Sequence, residues 1–146
     1  MKKNVVDYIL IVLAVVALVG TVVFVAVSWE SIPASIPLHY GAGGEVTEYG
    51  KKSDIWMLVG IDVVMVVLVD IISWFPSLWN MPAKTPKNFM ISKYMIEALS
   101  LIIALFLGSV IVLSARGIAV PMGLFIGFTV VIILVTVLPL LFMDKK

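Results

Sequence analysis

Side chains able to do chemistry gather in two places along this chain. Between Ile32 and Lys51 lie the only histidine, His39, and with it Tyr40, Glu45, Glu48, Tyr49 and Lys51. One imidazole beside carboxylates can contact a ligand, hold a turn through a hydrogen bond, or begin a metal site. A metal site needs about three or four ligands, and the only further donor nearby is Glu30, so no metal and no cofactor is expected. Catalysis needs a nucleophile fixed against a base, which no pattern here supplies, so the chain reads as a non-enzyme. The second place is inside the apolar runs, where Asp62, Asp70 and Glu97 stand. Ionisable groups in a membrane span are costly and normally face the bundle or a water cavity. They would either clamp helices through hydrogen bonds or relay protons. Asp70 and Glu97 fall at similar depth and could meet, or both pair with Lys93, one turn before Glu97.

These groups need elements to position them. The 146 residues are 62% apolar and 13% charged, with mean hydropathy +1.19, against about 25% charged in soluble domains. Four runs, about residues 8–27, 55–75, 96–115 and 122–143, approach the roughly 20 apolar residues that cross a bilayer core. No ten-residue alternation of the kind a membrane barrel requires is present. The expected fold is an all-α membrane protein of four transmembrane helices, one polytopic domain over residues 1–146, with an extended, hairpin-like outward loop over 29–53 and an inner loop over 76–92. Met1-Lys2-Lys3 before an apolar run imitates a secretory leader, with Ala26-Val27-Ser28 as a cleavage-like site. The run exceeds the roughly 7–15 residues of a leader core, so it is read as an uncleaved span.

Lysine and arginine divide unevenly. Lys2, Lys3, Lys84, Lys87, Lys93, Lys145 and Lys146 fall on one side of the expected topology, and Lys51, Lys52 and Arg116 on the other. By the positive-inside rule both termini are cytoplasmic and the polar loop faces out. Trp29, Trp56, Trp74 and Trp79 fall near the span ends, where indoles favour the interface. The inner connection, with Pro76, Pro82 and Pro86, reads as an irregular basic linker. Nothing basic beyond Lys-Lys pairs occurs, so nucleic acid is not an expected partner. With no cysteine, disulfides and thiolate sites are excluded. Gly123 and Gly127 form a Gly-x-x-x-Gly motif suited equally to intramolecular packing and to a homo-oligomer.

The loop has its own grammar. Pro33 and Pro37 bias Ile32 and Ile36 to extended geometry, while Gly41, Gly43 and Gly44 permit a reversal. A strand from Glu45 to Tyr49 should then pair back onto Ser35–Tyr40, and Gly50 leads through Ser53 or Asp54, either suited to an N-cap, into the second helix. The pattern Ile-Pro-x-x-Ile-Pro-x-His-Tyr-x-x-x-Gly-x-x-x-x-Tyr-Gly-Lys, between a first and a second membrane helix, resembles a family of bacterial membrane proteins. Their domain of unknown function also forms the N-terminal part of SdpI-like toxin-immunity proteins. Ile32, Pro33, Ile36, Pro37, His39, Tyr40, Gly44, Tyr49, Gly50 and Lys51 or Lys52 carry the match. Ile32 stands where leucine is usual, and Val46 where proline is common.

The resemblance implies a bacterial inner-membrane protein concerned with self-protection against secreted peptide toxins or with envelope sensing. Its ligand-facing side chains would be His39, Tyr40, Glu45, Glu48, Tyr49 and Lys51, shaped by Pro33, Pro37, Gly41, Gly43, Gly44 and Gly50. Expected partners are the lipid bilayer and a secreted peptide toxin or another membrane protein. Two alternatives stand beside this: an accessory subunit or small transporter using Asp62, Asp70 and Glu97, and a structural partner of a membrane complex.

Overall fold

The computed structural model describes residues 3–41, 43–80 and 84–145. Lys2, Pro82 and Lys146, which entered the charge and loop arguments, lie outside the described residues. The chain runs α1 (Val5–Val27), β1 (Ser35–Tyr40), β2 (Val46–Lys51), α2 (Ile55–Trp74), α3 (Pro86–Ala115) and α4 (Met122–Val137), which tightens into a 3-10 turn over Leu138–Phe142. All four helices are long and apolar enough to cross a membrane; this is a multi-pass membrane protein.

Local chemistry sets the helix ends. The Asn4 side chain accepts from the Asp7 backbone N–H while the Asp7 carboxylate accepts from the Asn4 N–H. This reciprocal cap starts α1 before its apolar run begins. At the end of α3, Gly117 takes φ 69°, and Ile118 N–H and Gly117 N–H donate to the carbonyls of Leu113 and Ser114. That pairing closes the helix by a left-handed turn that glycine accommodates without strain. In the last span Pro139 has no N–H to continue the α-helical ladder, and the chain narrows there to 3-10 geometry.

α3 corrects the expected inner loop. The irregular connection ends at residue 85 rather than 92, and the helix starts ten residues before the expected span. Thr85 caps it, its hydroxyl accepting from Asn88 N–H at 3.2 Å, with Pro86 in the first turn, where its missing N–H has no helical partner to lose. Buried Asn88 then exchanges bonds with the Asp144 backbone at 2.9 and 2.8 Å. The extra turns are polar in sequence but anchored by the far end of the chain.

α3 is the central helix, packed along α1 on one flank and α2 on the other, while α4 lies outside, mainly against α3. Small side chains permit the close crossings: a Cβ on Gly108 would lie 2.6 Å from Thr21 Oγ1 of α1. Ala14, Ala104 and Val66 meet at mid-bundle. Nothing lies within 4 Å of where a Cβ would sit on Gly123 or Gly127, so the Gly-x-x-x-Gly motif takes no part in packing among the described residues.

Candidate functional site

The expected hairpin is present: β1 and β2 pair antiparallel, with Ser35 opposite Lys51, His39 opposite Glu48 and Tyr40 opposite Val46. Gly41 N–H donates to Glu45 O at 2.8 Å and Gly44 takes φ 84°, the backbone reversal that a side chain would strain. The Glu45 carboxylate lies over Gly41 and Gly43, where it occupies the space of any Cβ, and Leu38 does the same at Gly50. Asp54 does not cap α2 with its side chain; its carboxylate accepts instead from Lys51 N–H at 2.7 Å, fixing the exit from β2.

The side chains of this hairpin divide sharply into buried and exposed sets. Ile36 and Pro37 are fully buried, and Ile32 nearly so. Ile32 and Ile36 close one end of the bundle against Val25, Ile55, Val59, Ile111 and Ala115. The Ile-Pro repeat is therefore a plug as much as a spacer. Tyr40 also turns inward: its hydroxyl meets Ser114 Oγ at 3.2 Å and its ring lies 5.9 Å from that of Phe125. In the exposed set, His39 Nδ1 and Glu48 Oε2 are 2.8 Å apart with both side chains about two-thirds exposed. Tyr49 is 61% exposed, and Glu45 and Lys51 also face out. An exposed pair of this kind adds at most about 1 kcal/mol to stability, so His39 and Glu48 are held in place more than they hold the fold. Beside the hairpin, the Trp29 and Trp56 rings lie 6.0 Å apart with Lys52 Nζ 4.5 Å over Trp29.

The opposite end of the bundle is closed by charge. Lys93 Nζ of α3 bonds Asp7 Oδ2 of α1 at 2.7 Å, and Lys3 Nζ bonds Glu97 Oε1 of α3 at 2.8 Å, all four side chains at most 6% exposed. Lys3 also donates to Ser73 Oγ of α2 at 3.1 Å and sits 4.4 Å over the Trp74 ring. Lys93 and Glu97 lie one turn apart on α3, so the two pairs together tie α1, α2 and α3. The expected Asp70–Glu97 contact is not among the bonds formed. Asp70 lies on α2 one turn before Ser73, accepting the Ser73 hydroxyl on its backbone carbonyl, with its own Oδ1 buried and unpartnered.

Lys3 and Asp7 were the partners missed by reading the spans one at a time. A signal was available, since α1 and α3 run the same way and a lysine inside a span calls for an acid at equal depth. Asp62 stands apart from this cluster, fully buried, neither carboxylate oxygen hydrogen-bonded among the described residues. Beyond the spans, the Asp144 carboxyl is held below the usual carboxylate range by hydrogen bonds from Thr85 at 2.9 Å and Lys87 at 3.2 Å. No group of three or more His, Asp or Glu side chains gathers as a metal cluster among the described residues.

Comparison with known proteins adds one finding. Residues 9–62 match the model of a domain of unknown function (DUF1648). The match takes in α1 from Ile9 onward, the whole hairpin and α2 as far as Asp62. No curated protein and no solved structure matches the chain.

Proposed function

We propose that the protein is a membrane-embedded recognition module that binds a ligand, without catalysis, on the exposed face of its hairpin. The observation that carries this is the division of the hairpin: Ile32, Ile36, Pro37 and Tyr40 are locked against the helix ends while His39, Glu48 and Tyr49 stand open. A surface fixed before binding loses little conformational freedom on association. Glu45 and Glu48 suit a cationic partner, and Tyr49 with the Trp29–Trp56 pair suits its apolar side. A secreted cationic amphipathic peptide combines both features. The likeness of the loop to that of SdpI-like immunity proteins supports toxin protection or envelope sensing as the purpose. The lysine distribution supports a bacterial cytoplasmic membrane with both termini inside and the hairpin outside.

The test is a survival assay in cells expressing the chain and challenged with a panel of secreted cationic amphipathic peptides. His39→Ala and the Glu45→Gln/Glu48→Gln double variant should lose protection at unchanged membrane abundance. Protection by the wild type alone supports the module. Full protection by both variants at normal abundance, or no protection by the wild type against any peptide, overturns it.

A further inference from the structure

We propose that Asp62 is a proton-exchange site inside the bundle, reached from the Lys3 end and sealed from the hairpin end by the Ile36 plug. A buried carboxyl must be neutralised by a cation, by hydrogen-bonding partners, or by a proton. Among the described residues the first two are not supplied. Lys3 and Lys93 are engaged with Glu97 and Asp7, at the level of Ser73, eleven residues and roughly 16 Å along α2 from Asp62. A metal cation would need several oxygen ligands. Near the level of Asp62 the neighbouring helices offer Thr21, whose hydroxyl already donates to Ala17 O at 3.1 Å, and Gly108, packed against it. A proton remains.

Asp62 sits between two apolar layers of unequal size. Toward the hairpin, Val25, Ile55, Val59 and Ile111 with Ile32 and Ile36 form a layer of branched side chains. Toward the Lys3 end the buried members of the layer are Val66, Ala14 and Ala104, with Leu18, Leu101 and Ile103 packed half-buried against them. Past that smaller layer come two more buried polar atoms without hydrogen-bond partners among the described residues, Asp70 Oδ1 and Ser100 Oγ, and then the Lys3–Glu97 and Lys93–Asp7 pairs. Asp70 is eight residues from Asp62, at the edge of the inward stripe of α2 and about 12 Å away at the helical rise. That is the spacing of a relay completed by water rather than of direct contact. The charged groups that face this line are Lys3, Asp7 from α1, Asp70 from α2, and Lys93 and Glu97 from α3. The hairpin contributes none, since His39 and Glu48 are on its exposed face. Asp62 would exchange protons whatever that face binds.

The probe is dicyclohexylcarbodiimide, an apolar reagent that reacts with a protonated carboxyl. The acid oxygen adds to the carbodiimide carbon and its proton passes to nitrogen, after which acyl transfer leaves a stable acylurea, mapped by mass spectrometry. The full chain is labelled in sealed vesicles of both orientations, with Ser35→Cys or Lys84→Cys reporting sidedness, while pH is changed on one side only. Asp62 should be modified, with yield falling about tenfold per pH unit above the midpoint, the slope of a single proton. The yield should follow pH on the Lys3 side, persist in Asp62→Glu and vanish in Asp62→Asn. No adduct at Asp62 at any pH, or a yield that ignores pH, overturns the site. A yield that follows the hairpin side overturns the route.

Discussion

The two ends of the three-helix core are closed by opposite chemistry. At the hairpin end, branched aliphatic side chains from α1, α2 and α3 receive Ile32 and Ile36 from outside the bundle. At the other end, two lysine–carboxylate pairs and Ser73 join the same three helices. The apolar end is held by close packing and can present a working face without spending its own polar groups. The ionic end engages Lys3, Asp7, Lys93 and Glu97 in holding the helices together. Buried groups that ionise are therefore structural at one end, and exposed groups that ionise are available at the other.

The contrast is sharpest in its response to substitution. Lys93→Ala strands the Asp7 carboxylate in the bundle and should cost about 3–5 kcal/mol, read as a lower unfolding midpoint in detergent; the double variant Asp7→Asn/Lys93→Met should recover most of it. Were Lys93→Ala no worse than the double variant, the pair would not be a clamp. Ile36→Ala empties a fully buried position and should cost about 2–5 kcal/mol, with no dependence on pH or salt in an unfolding titration. Gly44→Ala imposes a side chain at φ 84° and should cost about 1–3 kcal/mol. The smallest effect is at Asp144, whose carboxyl is depressed in the fold. Its contribution is present above the ordinary carboxylate range and lost as pH falls through the lower folded value. Melting followed between neutral and acidic pH should show that loss in the wild type and not in Asp144→Asn.

Reading these ends from sequence succeeded unequally, for physical reasons. The four spans were legible because bilayer thickness forces long apolar runs. The hairpin was legible because paired Ile-Pro steps and a glycine cluster each restrict the backbone locally. The first ten residues of α3 were not, since Pro86 to Met95 is too polar to mark a span. Its helicity rests on the Thr85 cap and on Asn88 reaching Asp144. The Lys93–Asp7 and Lys3–Glu97 pairs join residues 86 and 94 positions apart, beyond any local pattern. Tyr40 reads like its exposed neighbours His39 and Tyr49, and only the register with Val46 beside Ser114 and Phe125 turns it inward.

The most direct measurement pairs unfolding with ligand protection in the double variant His39→Ala/Glu48→Gln. Its side chains lie on the open face, where substitutions typically shift stability by less than about 0.5 kcal/mol. The expected result is an unfolding midpoint indistinguishable from the wild type, normal membrane abundance and loss of peptide protection. Retained protection at normal abundance would contradict the recognition role of the face. A collapsed midpoint would contradict the division of the hairpin into a buried anchor and an open surface.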